Sequence, residues 1–403
     1  MKKLVLSLAL VASLSVAFAD KVRIGTLNVA NRQAMTEAAQ RLAALCGNPM
    51  LIAILTEPLS KTSETAVEYA IVAENDDFGL EKVGEAKVSF ATGELVKVNV
   101  DAQGVSALVG MAEKASGAAV NAVELATLKS VSDLNGSLRL TDRGLDLRAL
   151  IGAVAGSELA KMGKKTLAAD ALAFAGKDAI SVGANAGDVG AGDPAATVDA
   201  VLSVLQKNGV KLDFLQLDRQ PNQLKVVMDV VALQQYIEGE GSKAFSKIEP
   251  EKFMAELRAA IPERPYKAES PAYASCMSVK GFAPKHSVAQ RYAKTLPEAA
   301  GKPVYSASVL SLYSVVKATV PQLLAKMPEA VVAQVKPLVA ALPEEGEGAI
   351  AGMYWREGEK HACLLRMSAD EIRGIGAVAN AVMGAMMAQA MAAPAVTDDD
   401  DED

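Results

Sequence analysis

The order of the predicted elements repeats along this chain, and that repetition restricts the possible folds more than any single motif. The first half contains in order a strand, a helix, two strands, a helical stretch and a hairpin, at residues 22–30, 35–45, 50–56, 66–73, 105–129 and 137–150. The second half has the same order at residues 179–186, 194–206, 212–217, 223–231, 307–342 and 349–367. The pentapeptide Ile-Gly-Ala-Val-Ala follows the last hairpin in both halves, at residues 151–155 and 375–379. The sequence therefore predicts an internal duplication.

The predicted fold class is α+β, with two related repeats at about residues 20–165 and 166–393. The second repeat is longer because of an insertion near residues 236–305, which contains a predicted helix at 250–261. Hairpins rather than helical crossovers join most of the predicted strands. We therefore expect each repeat to be an antiparallel sheet of hairpin-connected strands with helices packed on one face.

Residues 1–19 have the pattern of a bacterial export signal. A basic pair, Lys2 and Lys3, precedes an apolar run that is too short to span a membrane. The small-x-small pattern at the end of this segment predicts cleavage between Ala19 and Asp20. We therefore expect the mature protein to be periplasmic or secreted.

Charge argues against a nucleic-acid partner. The formal net charge is −7 at pH 7, and the acidic run at residues 398–403 supplies most of it. The rest of the protein is nearly neutral, so it offers no basic surface for phosphate contacts. We expect residues 394–403 to form a disordered acidic tail. Hydrophobic residues make up 51% of the chain and aromatic residues only 4%, so aliphatic side chains must fill the core.

The uncharged segment at residues 374–397 could serve as a membrane anchor or a copper site. An exported N-terminus would place the following acidic run in the cytoplasm without any Lys or Arg, so we expect no transmembrane anchor. Thioether sulfurs bind Cu(I), and four methionines share roughly one face of this helix: Met383, Met386, Met387 and Met391. No His or Cys ligands accompany them, so core filling is favoured. The sequence predicts neither a metal nor a cofactor.

One motif has the form of a catalytic pair. Ser314-Val-Val-Lys317 places a serine one helical turn from a lysine, as in exported penicillin-binding enzymes and serine β-lactamases. The supporting KTG and SxN motifs are absent after it. Ser308, Ser311 and Ser314 also share helical spacing, which is typical of a small-residue packing face. Ser314 and Lys317 are therefore candidates only for an alternative function.

A glycine-rich loop at residues 183–193 lies between a predicted strand and a predicted helix, where phosphates often bind. Its spacing is not GxGxxG, and no Walker lysine follows it. Asp193-Pro194 instead indicates a helix N-cap followed by proline in the first turn. The sequence favours a flexible cap loop.

Tyr354, Trp355 and Arg356 are the candidate binding residues, and they include the only tryptophan of the chain. They lie on a predicted strand beside a tight turn. Strand alternation places Tyr354 and Trp355 on opposite faces, so we expect one of them to face outward. An exposed aromatic ring beside an arginine suits a binding edge, but ordinary packing within the sheet is favoured, since single aromatic residues are common on sheets.

No catalytic set assembles from the sequence, so we expect a non-catalytic protein. The favoured interpretation is an exported binding or envelope-associated protein. An open sheet covered by helices on one side suits an apolar or lipid ligand, or an unknown envelope protein as a docking partner. The alternative is an exported serine hydrolase with its site between the two repeats, where ligand sites often form.

Overall fold

The computed structural model describes residues 21–60, 62–74, 77–115, 122–187, 194–220, 223–260, 272–325 and 329–392. Within these ranges the protein is a mixed α+β fold with a large sheet of thirteen strands and with thirteen α-helices. The predicted export signal and the predicted acidic tail lie outside the described residues.

The strands are numbered in chain order. The first six are β1 (Val22–Val29), β2 (Val67–Glu74), β3 (Asp77–Glu85), β4 (Glu94–Val100), β5 (Val131–Thr141) and β6 (Gly144–Ala153). The other seven are β7 (Ala179–Asn185), β8 (Leu215–Gln220), β9 (Gln223–Asp229), β10 (Ala272–Ser278), β11 (Val304–Leu310), β12 (Ile350–Glu357) and β13 (Lys360–Ser368). Their order across the sheet is β3-β2-β1-β4-β5-β6-β13-β12-β11-β7-β10-β9-β8.

The helices are also numbered in chain order. The first five are α1 (Arg32–Cys46), α2 (Met50–Ser60), α3 (Ala102–Ala115), α4 (Ala122–Lys129) and α5 (Glu158–Lys161). The next four are α6 (Pro194–Lys207), α7 (Val230–Glu238), α8 (Glu240–Phe245) and α9 (Pro250–Ala260). The last four are α10 (Val288–Thr295), α11 (Leu312–Leu324), α12 (Glu329–Ala340) and α13 (Ala369–Ala392), and a 3-10 turn covers Pro297–Gly301.

Strands from both halves of the chain belong to one continuous sheet, which is joined where β6 pairs with β13. The inserted segment of the second half contributes β10, which lies between β7 and β9. β10 is antiparallel to β7 but parallel to β9, so one strand pair departs from the expected antiparallel pattern. The insertion therefore adds to the sheet rather than projecting from it.

The strand predicted at residues 50–56 is wrong, because these residues belong to helix α2. Gly47 adopts the left-handed conformation and ends α1, with its N–H bonded to the carbonyls of the last turn. Asn48 then starts the next helix, since its Oδ1 accepts a hydrogen bond from the backbone N–H of Met50 at 3.0 Å. A short run of Ile and Leu fits a strand or a helix equally well, so the two caps decide the outcome.

The helical stretch predicted at 307–342 begins too early. Its first residues belong to strand β11, and helix α11 begins at Leu312. Ser308 therefore lies on a strand, away from the helix that carries Ser314. Four strands were missed altogether by sequence reasoning, namely β3, β4, β10 and β11.

Strand alternation gives the sheet two faces. The helix face carries Leu27 in the first half, which shares an apolar cluster with Met111 of α3. In the second half it carries Met277, which shares a cluster with Ala318 of α11. The cores beneath these helices therefore lie on the same side of the sheet.

The opposite side, which we call the groove face, is apolar mainly in the second half. There Met353 and Leu364 share a cluster with Leu167 and Phe174, from the segment before β7, and with Leu296 after α10. Part of the covering residues therefore come from the inserted segment. In the first half the groove face carries polar side chains, and it forms part of the site described below.

The C-terminal helix α13 packs against α1 through close backbone contacts and an amide pair. Asn380 Nδ2 donates to the carbonyl of Cys46 at 3.0 Å, and Asn48 Nδ2 donates to Asn380 Oδ1 at 2.8 Å. Among the described residues, no helix combines the length and the hydropathy that crossing a membrane requires.

Gly104 marks the closest approach of α3 to the sheet. A Cβ atom there would lie 1.7 Å from the carbonyl oxygen of Ile24, whereas a Cβ at Gly110 of the same helix would meet nothing within 4 Å. We expect Gly104→Ala to lower the free energy of unfolding by about 1–3 kcal/mol through overpacking. Gly110→Ala should raise it by up to about 1 kcal/mol, because alanine favours helix. Urea denaturation compares the two variants, and equal shifts would contradict this packing.

Candidate functional site

A groove of about 620 Å³ runs across the groove face from the first half to the second. Most of its floor consists of six adjacent strands, β1, β4, β5, β6, β13 and β12, and Glu68 of the next strand, β2, extends it beyond Asn28. Val88, in the loop between β3 and β4, lines the groove, as do Glu298 and Lys302 at the 3-10 turn. The groove therefore crosses the junction between the two halves.

Cross-strand pairing arranges the floor side chains in two rows. One row consists of Asn28, Lys97, Ser137, Arg148, Leu364 and Met353. The neighbouring row consists of Thr26, Asn99, Asn135, Leu150, Ala362 and Trp355. Both rows begin with polar side chains on β1 and end with apolar ones on β13 and β12. A ligand in the groove would meet hydrogen-bonding groups at one end and an apolar surface at the other.

Two buried polar atoms at opposite ends of the rows have no hydrogen-bond partner among the described residues. They are Oδ1 of Asn28 on β1 and Nε1 of Trp355 on β12. The two residues are 3% and 9% exposed, and both line the groove. An unpaired buried donor or acceptor costs about 1–3 kcal/mol, so a native chain holds few of them without a reason.

Each cation of the groove lies near a carboxylate or an aromatic ring. Three cations line the groove. Lys97 lies 3.1 Å from Glu94, and Arg148 lies 3.7 Å from Asp146. The Lys302 ammonium lies 4.5 Å from the ring centre of Trp355. Four carboxylates line the same groove, on Glu68, Glu94, Glu298 and Glu357, so it does not favour anionic ligands.

A chain of hydrogen bonds continues from the groove along β5. Asn99 Nδ2 donates to Asn135 Oδ1 at 2.6 Å, and Asn135 Nδ2 donates to Asp133 Oδ1 at 3.2 Å. Burial opposes the ionisation of Asp133, but hydrogen bonds from Lys360 and Ser132 outweigh it and lower the pKa of this carboxyl. The amides are thus held in defined orientations by an ionised carboxylate.

The structure separates the three residues predicted as a binding surface. Tyr354 lies on the helix face and is 41% exposed, whereas Trp355 lies on the groove face. Nη1 of Arg356 donates to the carbonyl oxygens of Ala160 and Met162, each at 2.8 Å. Of the three, Trp355 alone lines the groove, and Arg356 holds the segment that follows β6.

His361 is buried and holds the same segment. Its Nε2 lies 2.8 Å from the carbonyl oxygen of Leu159, and its Nδ1 lies 2.9 Å from the Tyr305 hydroxyl. A carbonyl can only accept, so Nε2 carries a proton and donates to it. Both ring nitrogens of this histidine have structural partners.

Ser314 and Lys317 have different neighbours. Ser314 is 1% exposed, and its hydroxyl donates to Oε1 of Glu345. The Lys317 ammonium lies 5.7 Å from the ring centre of Tyr313. Glu345 also lies 3.2 Å from the buried guanidinium of Arg291, so Ser314 belongs to a buried polar network.

The remaining candidates do not assemble into a site. Met383 and Met386 are exposed on α13, and the side chains of Met387 and Met391 lie outside the described residues. In the part of the chain that the structure describes, no group of three or more His, Cys, Asp or Glu side chains could hold a metal ion. Residues 188–193 of the glycine-rich loop also lie outside it.

Sequence reasoning missed most of the groove residues. On β1, polar Thr26 and Asn28 alternate with apolar Leu27 and Val29, which is the pattern of a strand with one polar face. This alternation could have identified that face. Strand β4 was not predicted, so its contribution to the two rows could not be seen.

The chain matches no protein family model, no curated protein and no solved structure. Its function therefore has to be argued from the groove itself.

Proposed function

We propose that this chain is an exported, non-catalytic binding protein whose ligand lies in the groove. The observation that carries the proposal is the pair of unpaired buried polar atoms on Asn28 and Trp355, at opposite ends of one groove. The open floor also suits binding better than acid–base chemistry. Residues 1–19 are the basis for export, to the periplasm or beyond.

We further propose that the two halves are related repeats, at about residues 20–165 and 166–393. From the junction outward, the strand orders β6-β5-β4-β1 and β13-β12-β11-β7 correspond, and each is antiparallel throughout. Arg148 and Leu364 are each the fifth residue of their strand, and they pair with each other. This register supports a two-fold relation between the hairpins. The shared pentapeptide does not, because it ends a strand at 151–153 and lies within helix α13 at 375–379.

Charge reversal at Arg148 tests the site. Its side chain is 49% exposed on the groove floor, and that of Arg219 on the edge strand β8 is 44% exposed in an ion pair with the exposed Asp199. We expect Arg148→Glu to lose a ligand that copurifies with the wild type, because it places a carboxylate beside Asp146 in the middle of the floor. Arg219→Glu should retain that ligand. Native mass spectrometry of protein isolated from its own host compares the three.

Two outcomes would contradict the proposal. Equal retention of the ligand by Arg148→Glu and Arg219→Glu would place binding outside the groove. Covalent labelling of Ser314 by a fluorophosphonate, absent in Ser314→Ala, would favour the serine hydrolase instead.

A further inference from the structure

We propose that the ligand of the groove is a linear, uncharged oligosaccharide, held at one end by Asn28 and at the other by Trp355. This inference rests on the proposed function and names the ligand class for the same groove. Three observations support it: the distance between the two unpaired atoms, the uncharged polar and apolar side chains in the rows between them, and the ion pairs that already occupy Lys97 and Arg148.

The length of the ligand follows from the spacing of the strands. Asn28 lies on β1 and Trp355 on β12, with β4, β5, β6 and β13 between them. Neighbouring strands are about 4.8 Å apart, so five spacings separate the two residues by about 24 Å. Only an extended, oligomeric ligand can pair both atoms at once.

Hydroxyl groups fit the polar part of the rows. Thr26, Asn99, Asn135 and Ser137 offer both donors and acceptors without net charge. A sugar hydroxyl also donates and accepts, so each one can pair with whichever group it faces. Farther along, Leu150 and Leu364 present apolar surface that suits the C–H face of a sugar ring.

The structure disfavours other polymers in this groove. A nucleic acid or another polyanion would need free cations, but Lys97 and Arg148 lie in ion pairs and four carboxylates line the same groove. A peptide binds a sheet by adding a strand at an edge, and every floor strand has a neighbour on both sides. An acyl chain would leave the polar half of the floor unpaired.

Both anchoring atoms are shielded from solvent. The Lys302 ammonium lies above the Trp355 ring, 4.5 Å from its centre, so a ligand that occupies this end of the groove displaces it. Because Trp355 is the only tryptophan of the chain, this displacement changes the whole of its indole fluorescence. The emission of the wild-type protein is thus a direct report of groove occupancy.

The test titrates the full mature chain with maltohexaose, cellohexaose and chitohexaose, and with the trisaccharide of each. We expect at least one hexasaccharide to shift the Trp355 emission and to bind at least about tenfold more tightly than its trisaccharide, which cannot reach both anchors. By calorimetry, Trp355→Phe and Asn28→Ala should each weaken that hexasaccharide about five- to tenfold, since each removes one hydrogen bond. Tyr354→Phe, on the opposite face, should bind it as the wild type does.

The failures are distinguishable. If no hexasaccharide binds, while oleate or a neutral peptide shifts the emission and loses this effect in Arg148→Glu, the oligosaccharide is wrong and the groove is still a binding site. If a hexasaccharide binds equally to Trp355→Phe and Asn28→Ala, the two anchors are wrong. If neither these probes nor a copurified ligand occupies the groove, both the inference and the proposed function fail.

Discussion

Replacing Arg366 with methionine is expected to lower the free energy of unfolding by about 3–5 kcal/mol, because it leaves a carboxylate buried without its main partner. Arg366 on β13 faces Asp146 on β6, and the two side chains are 3% and 2% exposed. Two parallel hydrogen bonds join them, from Nε to Oδ1 at 2.6 Å and from Nη2 to Oδ2 at 2.8 Å. The guanidinium also donates to the Thr295 carbonyl at 3.0 Å.

The double variant Asp146→Leu/Arg366→Met distinguishes the net contribution of the ion pair to stability from the cost of leaving one of its charges buried alone. With both charges gone, we expect a stability within about 1–2 kcal/mol of the wild type, since apolar replacements of buried ion pairs are often neutral. Arg219→Met, which removes an exposed ion pair on β8, should cost less than about 1 kcal/mol. Urea denaturation of the wild type and these three variants measures the differences. A single Arg366→Met variant as stable as Arg219→Met would show that the pair is not buried as described.

The same pair explains why the union of the two halves could not be predicted. Asp146 and Arg366 are remote in the sequence, and neither lies in a motif. Their contact depends on β6 and β13 pairing in one register, which a pattern within either half does not specify. The prediction of two repeats therefore stopped short of a single continuous sheet.

Sequence patterns predicted correctly those elements whose ends are set by neighbouring residues. The hairpins β5–β6 and β12–β13 were predicted from short turns that contain glycine, and Gly144 and Gly358 have positive φ values of 127° and 64°. Helix α6 was predicted because Pro194 suits a first turn and Asn208-Gly209 suits a helix end. Where one segment satisfied two patterns, as at residues 50–56, periodicity alone chose wrongly.

Only single residues of the candidate site could be predicted from the sequence. Trp355 was named as a binding residue, but its partners in the row come from five other strands. The unpaired state of Asn28 Oδ1 is a property of the packed molecule, so no sequence pattern signals it. The spacing of Ser314 and Lys317 matched a catalytic motif. The sequence could not show that Ser314 is buried against Glu345, because Glu345 lies in a loop from elsewhere in the chain.

Replacing Glu371 is also expected to lower the free energy of unfolding strongly. This carboxylate at the start of α13 is 2% exposed, and it accepts hydrogen bonds from the Tyr313 N–H at 2.9 Å and the Ser311 hydroxyl at 3.1 Å. It thereby caps the beginning of α11 from another helix. We expect Glu371→Ala to cost about 2–4 kcal/mol, because two buried donors then lose their acceptor. Glu371→Gln keeps an acceptor oxygen and should retain most of the stability.

The difference in stability between the wild type and Glu371→Gln should change with pH in a definite direction. Burial raises the pKa of Glu371 above its ordinary value of 4.5, although hydrogen bonds from Tyr313 and Ser311 oppose the shift. A raised pKa means that the folded state holds the proton more tightly than the unfolded chain does. Its contribution to stability is complete below the ordinary pKa and is lost as the pH rises through the folded-state pKa. The wild type should therefore lose stability relative to Glu371→Gln as the pH rises from about 4 toward neutrality. Urea midpoints measured across that range test this, and a wild type that gains on Glu371→Gln would show that the fold favours the ionised carboxylate.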